Sequence, residues 1–355
     1  MLHAVVMAGG SGTRFWPLSR TSKPKQFLRL GSERSLIQRV LDRCPPMVVP
    51  ERFWVVTNAA LVEQVAEHLP EVPACQIIPE PYQRNTAPCI GLAALFLSAQ
   101  DPEAVMLVMP ADHIIAPAEK LQECVESAVE IVHRDPDRLV LLGIQPTSPA
   151  TGYGYIEQGS EISAGIFEVE SFREKPDATT AESYLDAGRF LWNSGIFIWR
   201  AATILKCIEQ HQPEIWNRLR RLKSAIGAAG WTDVLAQEFA EMPSISIDYA
   251  VLEYETRIAV VRADFEWDDV GSWEAMTRLH GADQQGNTVI GNACLIDASE
   301  NIIYSTTGHV VALYGIRNCM IVQTQDATLV ADRSDENAIR KLVAALEEQG
   351  YDDIL

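Results

Sequence analysis

No acidic residue occurs in the first 32 positions of a chain whose formal net charge is -19 over 355 residues. Those positions hold five cations: Arg14, Arg20, Lys23, Lys25 and Arg29. A local positive island in an acidic protein implies a local anion, and a polyphosphate is the first expectation. The global acidity excludes a general nucleic-acid binder, which needs a basic face. No C-x-x-C pair occurs among the seven cysteines, at 44, 75, 89, 124, 207, 294 and 319. An odd, scattered set of thiols excludes a disulfide framework or zinc site of common spacing and points to the cytoplasm. No apolar run reaches the ~18 residues a membrane span requires, and the N-terminus lacks the charged-then-apolar order of a signal peptide. With 47% hydrophobic and 22% charged residues, a soluble protein with a real core is expected.

What is present is alternation. Apolar runs at His3–Ala8, Phe53–Thr57, Cys75–Pro79, Ala104–Met109 and Leu139–Ile144 predict strands. Between them Ser35–Cys44, Ala59–Leu69, Thr86–Gln100 and Pro117–His133 predict helices. Such alternation predicts a mostly parallel sheet with helices on both faces, whose ligands bind at the carboxyl ends of the strands. Gly9–Arg14 follows the first strand and Pro110–His113 the fourth, so both are expected on one rim. From about 150 the pattern loosens into strands at Gly152–Gln158, Ile166–Glu174 and Phe190–Trp199. Helical segments follow at Ala201–Glu209, Pro213–Ala225 and Asp248–Tyr254, then a strand at Ile258–Val261. Beyond 284 the segments become short and evenly spaced: Asn287–Val289, Ala293–Asp297, Ile302–Ser305, Val310–Tyr314 and Cys319–Gln323. These predict a small β-solenoid, closed by a helix at Asp335–Gln349 with Leu342, Val343 and Leu346 on one side. The expected division is a catalytic domain over 1–284 and a solenoid with terminal helix over 285–355.

The turn Ala8-Gly9-Gly10-Ser11-Gly12-Thr13-Arg14 after the first strand fails as a dinucleotide fingerprint, because Phe15 stands where the third Gly is required. It also lacks the G-K-[ST] ending of a P-loop. What remains is a turn whose bare backbone N–H groups can approach phosphate oxygens. Arg14 beyond it grips phosphate as a planar fork, and Lys25 behind Pro24 adds a point charge.

The run Gly9-Gly10-Ser11-Gly12-Thr13-Arg14-Phe15-Trp16-Pro17-Leu18-Ser19-Arg20 with Pro24-Lys25-Gln26-Phe27 resembles the signature of sugar-1-phosphate nucleotidyltransferases, in the version found in mannose-1-phosphate guanylyltransferases. The resemblance continues in order through Glu80-Pro81 with Arg84-Asn85-Thr86-Ala87-Pro88, Pro110-Ala111-Asp112-His113, Thr151-Gly152-Tyr153-Gly154-Tyr155-Ile156, Glu174-Lys175-Pro176, Trp192-Asn193-Ser194-Gly195, Ser246-Ile247-Asp248-Tyr249-Ala250 and Asp269-Val270-Gly271-Ser272-Trp273. It implies a Rossmann-like nucleotidyltransferase fold of mixed, mostly parallel sheet, followed by a short left-handed β-helix. The substrates implied are GTP and mannose 1-phosphate, and a homodimer is expected. It implies the short form without an isomerase domain, and so no isomerase activity.

Nucleotidyl transfer needs a divalent cation to neutralise triphosphate charge, and Mg2+ accepts one or two protein carboxylates. Asp112 stands at the phosphate rim, where helix capping is its alternative use. The resemblance implies Asp269 as the second ligand, although spacing alone does not separate it from Asp268. It also implies that Glu174 binds sugar hydroxyls and Lys175 meets the sugar phosphate. Adjacent strand residues point to opposite faces, so Glu174 and Lys175 are not expected to pair. Gly154 leaves room for a sugar, and Asn193 offers a donor and an acceptor. Asp248 serves a hydroxyl or caps the following helix, with equal weight. Guanine presents N1–H and N2 donors beside an O6 acceptor, to be answered near Gln83–Thr86. Gln83, Asn85 and the main chain of Ala8 and Gly10 are the candidates, and His113 orders the rim or touches phosphate. Two other readings stay open: a related transferase with another nucleotide or hexose, and a non-catalytic paralogue that binds GDP-mannose.

Overall fold

The computed structural model describes residues 1–10, 12–306, 308–335 and 337–355; Ser11 of the glycine-rich turn and position 336 of the expected terminal helix lie outside them. In chain order the first strands are β1 (Leu2–Met7), β2 (Phe53–Asn58), β3 (Ile77–Glu80), β4 (Val105–Pro110), β5 (Ile114–Ala116) and β6 (Leu139–Ile144). They are followed by β7 (Tyr155–Ser163), β8 (Ile166–Arg173), β9 (Phe190–Arg200), β10 (Ile258–Arg262) and β11 (Glu266–Asp268). The last are β12 (Thr288–Ile290), β13 (Asn292–Ile296), β14 (Ile302–Ser305), β15 (Val310–Tyr314), β16 (Cys319–Gln323) and β17 (Thr328–Asp332). The helices are α1 (Leu36–Asp42), α2 (Val62–His68), α3 (Thr86–Gln100), α4 (Ala118–Arg134) and α5 (Ala178–Ala187). Then come α6 (Ala201–His211), α7 (Pro213–Ala225), α8 (Trp231–Ala240), α9 (Glu274–His280) and α10 (Ala338–Glu348). The chain forms two compact units.

The first unit comprises Met1–Gly9, Val40–Ala111 and Ile115–Trp267. Its nine-stranded sheet has the order β3-β2-β1-β4-β9-β6-β10-β8-β7. Only β8 and β9 run against the common direction, as their antiparallel pairings show, so the sheet is mixed and mostly parallel as the alternation predicts. One face carries Val5, Trp54, Val56, Met106, Val108, Leu141, Trp199 and Val260, packed with residues of α3, α6, α7 and α8. Helix α3 is buried around most of its circumference, which explains why its sequence has no polar stripe. The alternate residues face the other side, where α4 packs against β4, β6, β9 and β10. Met7 stands opposite Pro110 in register, and the Ala111 N–H donates to the Met7 carbonyl at 3.1 Å. The ends of β1 and β4 therefore coincide on one rim, as expected.

Two helices of this unit went unforeseen, α5 and α8. The signals for α5 were present: the Asp177 side chain accepts from the Thr180 N–H at 2.9 Å, and Gly188 ends the helix in the left-handed region. The segment expected as helix from Asp248 is a single wide π-turn over Asp248–Leu252. In β9 the register against β6 jumps after Asn193, and the buried Ser194 hydroxyl donates to the Leu142 carbonyl at 2.6 Å. This bulge re-aims Asn193 away from simple alternation.

The second unit comprises Gly10–Arg39, Asp112–Ile114 and Asp268–Leu355. Here β12, β14 and β16 stack in parallel, as do β13 and β15, so the solenoid expected from short even segments is present. Asn301 links successive coils: its Nδ2 donates to Asn287 Oδ1 at 3.0 Å, and its Oδ1 accepts from the Cys319 N–H at 2.9 Å. Strand β17, unforeseen, turns back antiparallel on β16. The core of this unit runs from Phe15 to Trp273 to Tyr304, with ring centroids 5.0 and 5.1 Å apart. Helix α9, also unforeseen, contributes Ala275 and Met276 to it. In α10 the packed residues are Ile339, Val343 and Leu346; Leu342, expected on the same side, is exposed, because the i, i+4, i+7 stripe passes it by.

Candidate active site

The expected site residues fall into a group in each unit. In the second unit the glycine-rich turn closes directly on Lys25. Gly12 adopts a left-handed φ of 61°, and a Cβ there would lie 2.4 Å from the Lys25 amide nitrogen. Only glycine satisfies both the backbone angle and that approach. The Lys25 side chain is buried, and its Nζ donates to Asp112 Oδ2 at 2.7 Å and to the Asp269 carbonyl at 2.6 Å. Three segments distant in sequence thus meet at one ammonium. Burial works to raise the Asp112 pKa, but the Lys25 charge outweighs it, with His113 helping, and holds the carboxyl below its ordinary value. His113 Nε2 stands 3.9 Å from Asp112 Oδ1. Thr13 and Arg14 are exposed at the start of this turn.

The neighbouring aspartates have different partners. Asp268 Oδ1 accepts from the Arg278 guanidinium at 3.0 Å and from the Val270 N–H at 2.7 Å, so its carboxylate is occupied. Asp269 sends its main-chain carbonyl to Lys25, and its Oδ1 accepts from the Gly271 N–H at 3.2 Å. Val270 between Asp269 and Gly271 holds a left-handed φ of 48°. For a β-branched residue this is a costly conformation, of order 1–3 kcal/mol, and such strain gathers at functional sites. The carboxylates of Asp112 and Asp269 are hard oxygen donors of the kind Mg2+ takes. Among the described residues no group of three or more His, Cys, Asp or Glu gathers to hold a metal, so a cation here would need further oxygens from substrate phosphates.

In the first unit Gly154, Glu174, Lys175, Asn193 and Asp248 come together. A Cβ on Gly154 would lie 2.5 Å from Glu174 Oε2 and 3.3 Å from Asn193 Cβ, so the absent side chain makes the group possible. Glu174 and Lys175 do pair, at 2.8 Å, against expectation. The reason is that β8 ends at Arg173 and Lys175 takes a left-handed φ of 46°, which breaks the alternation of faces. The ion pair to Glu174, supported by the charge of Asp248, outweighs partial burial and raises the Lys175 pKa. Asp248 does not cap its turn; its Oδ1 accepts from Asn193 Nδ2 at 2.9 Å. Burial first, then the charge of Glu174, pushes its carboxyl up to about 6. Tyr153 packs edge-on with Trp192 and Trp267, centroids 5.0 and 5.2 Å away, next in sequence to Gly154 and Asn193.

Near the end of β3, Gln83 Nε2 donates to the Gly9 carbonyl. Asn85 and Thr86 also have partners within the protein. Asn85 Oδ1 accepts from the Thr86 N–H at 2.8 Å and caps α3 at a φ of 67°, and the Thr86 hydroxyl accepts from the Ile247 N–H at 2.8 Å. Arg84 donates to the Phe239 carbonyl at 2.8 Å and anchors the segment. Glu80, part of the same motif but given no role from the sequence, ends β3. It is a buried carboxylate at the mouth of a strand whose own sequence reads as core.

A family model described as nucleotidyl transferase matches residues 3–286. The chain belongs to this family. A second model, described as a MannoseP isomerase/GMP-like beta-helix domain, matches residues 291–346 of this nucleotidyl transferase. A mannose-1-phosphate guanylyltransferase of Klebsiella pneumoniae is 38% identical over 357 residues, covering 98% of this chain and 74% of the relative. One of Escherichia coli K12 is 36% identical over 366 residues, covering 98% and 74%. A crystal structure from Thermus thermophilus, described as a mannose-1-phosphate geranyltransferase, is 34% identical with a TM-score of 0.87, covering 98% of this chain and 99% of that one. The family resemblance read from the motifs therefore stands, and so does the nucleotidyltransferase fold. Among the described residues no helix is long and apolar enough to cross a membrane.

Proposed function

We propose that this nucleotidyltransferase converts GTP and α-D-mannose 1-phosphate to GDP-mannose and pyrophosphate. The observation that carries the reading is the meeting of Lys25, Asp112 and Asp269 at one ammonium, in a chain similar over nearly its full length to mannose-1-phosphate guanylyltransferases. An oxygen of the sugar phosphate attacks the α-phosphorus in line; that O–P bond forms as the bond to the β-phosphate oxygen breaks. The attacking phosphate is already ionised at neutral pH, so no covalent nucleophile is needed. Positioning and charge stabilisation supply the catalysis.

Arg14, Lys25 and the backbone of Gly9, Gly10 and Gly12 hold the triphosphate and the departing pyrophosphate. Asp112 and Asp269 hold the divalent cation, proposed as Mg2+, which neutralises triphosphate charge when bound. Lys175 holds the attacking phosphate, while Glu174, Asn193 and Asp248 accept from and donate to sugar hydroxyls beside Gly154. The substrates are soluble and the cysteines unpaired, which fits a cytoplasmic reaction. The exposed apolar side chains of Ile296, Val310 and Tyr314 support a homodimer, to be read as a mass by light scattering. The deciding experiment is a panel of nucleoside triphosphates and hexose 1-phosphates with pyrophosphate release as readout. GTP with mannose 1-phosphate is expected to be the best pair. Preference for another pair would replace the assignment, and no release with any pair would favour a non-catalytic binder.

A further inference from the structure

Trp16 sits inside the cationic turn without a charge of its own. An indole brings a large apolar ring and a single donor, and a buried indole N–H needs an acceptor. Trp16 is 6% exposed, and its Nε1 donates to the Ile354 carbonyl at 2.7 Å, across 338 positions of sequence. The Thr21 N–H donates to the Leu355 carbonyl at 3.2 Å. The Arg20 guanidinium lies 5.7 Å from the Trp16 ring centroid and pairs with Asp326 at 2.8 Å, so a cation held from β17's approach covers the same ring. Phe15 and Trp16 share one core with Val270 and Trp273, and against it pack Val343 and Leu346 of α10, then Ile354 and Leu355. All of these residues belong to the second unit.

What the brace holds is the backbone of Arg14. The Trp16 N–H donates to the Thr13 carbonyl at 3.0 Å and closes the short helical turn Thr13–Phe15. The Arg14 side chain is exposed, so that turn sets where its fork begins. On one side the turn rests on Lys25 through Gly12, and on the other it ends in the pinned ring of Trp16.

We propose that Trp16 is a positioning residue for Arg14, and that Tyr351–Leu355 belongs to the phosphate-binding machinery because it supplies the acceptor that pins the indole. This deepens the proposed function and rests on its assignment of Arg14 to the triphosphate. A displacement of about 1 Å in a positioning group can cost on the order of 10²-fold in rate. A phenyl ring in place of the indole keeps apolar contact in the core but gives up the bond to Ile354.

The test is W16F, assayed by pyrophosphate release well below its melting temperature. Its kcat/KM for GTP is expected to fall by on the order of 10–100-fold. The KM for mannose 1-phosphate is expected to stay within about twofold of wild type, because the sugar group lies in the other unit; a merely structural role would move both. In an R14A background W16F is expected to cost nothing more, since no guanidinium is left to position. Wild-type use of GTP by W16F, an equal rise in both KM values, or a full further loss on top of R14A each overturns the proposal. Should W16F fail to fold, a chain ended at Gly350 removes the same bond from its acceptor side, and the same three outcomes decide. R14A alone tests the reading beneath: GTP use within a few-fold of wild type removes Arg14 from the triphosphate. A large loss in R14A with none in W16F keeps that reading and rejects this one.

Discussion

The ammonium of Lys25 lies 2.7 Å from Asp112 Oδ2 and also bonds the carbonyl of Asp269, so one cation ties the glycine-rich turn to both acidic segments. Lys25 is held where it can answer phosphate charge without searching rotamers, which is the preorganisation that electrostatic catalysis requires. Lys25→Ala is expected to lower turnover by on the order of 10²–10³-fold, as removal of one preorganised donor does. The depressed Asp112 pKa gives a second readout. Its stabilising contribution exists above the ordinary carboxylate pKa and disappears as pH falls through the depressed value. Loss of Lys25 should therefore make acid unfolding begin at higher pH. Turnover within a few-fold of wild type would reject the role of Lys25.

The neighbouring aspartates should behave differently. Asp268 is held by Arg278 and by the Val270 N–H, while Asp269 stands at the Lys25 ammonium, its own carbonyl bonded there. Asp269→Asn is expected to raise the Mg2+ concentration needed for half-maximal activity by about tenfold or more, the weight of one charge-assisted contact, with little change in melting temperature. Asp268→Asn is expected to lower the melting temperature with a smaller effect on that requirement. It removes a half-exposed ion pair and a bond that helps hold the strained Val270. The opposite pattern in a metal titration would move the ligand by one residue.

How far the chain could be read in advance depends on whether the signal is local. The Gly12 turn, the strands of the first unit and the coils of the solenoid announce themselves within a few residues, because turn chemistry and periodicity act at that range. Pairing the end of the first strand with Pro110 and Ala111 at the end of the fourth needed only the rule for parallel sheets. What distinguishes the surroundings of Asp268 from those of Asp269 was illegible, since the partner of Asp268 is Arg278, ten residues beyond it. The Glu174–Lys175 pair was misread because one left-handed backbone angle at Lys175 cancels the alternation of a strand. Glu80 belongs to a family motif but drew no role of its own, because its burial with an unpartnered Oε1 among the described residues is visible only in the fold.

Asp248 should give the sugar group a pH dependence. Its carboxyl is held at about 6, so acidification below that value protonates it and removes acceptor capacity. The KM for mannose 1-phosphate is expected to rise as pH falls from about 7 to about 5, by up to roughly tenfold for one lost charge-assisted bond. Asp248→Asn is expected to show the raised KM throughout and to flatten this dependence. A variant whose KM still climbs on acidification would assign the titration to another group.

Glu80 should make the stability of the free protein depend on pH. Burial lifts its carboxyl from an ordinary 4.5 to about 8. The native state therefore binds more protons than the unfolded chain between those values, and stability falls as pH rises through them. The penalty reaches about 1.4 kcal/mol per pH unit while the unfolded group is ionised and the native group is not. E80Q cannot ionise, so its stability relative to wild type should increase with pH across that window and level off above about pH 8. Denaturant midpoints of the two proteins, measured at about pH 5, about 6.5 and about 8 to span that window, report this difference directly. A difference independent of pH would mean that Glu80 is already ionised in the native state, and its missing partner would have to be found within the protein.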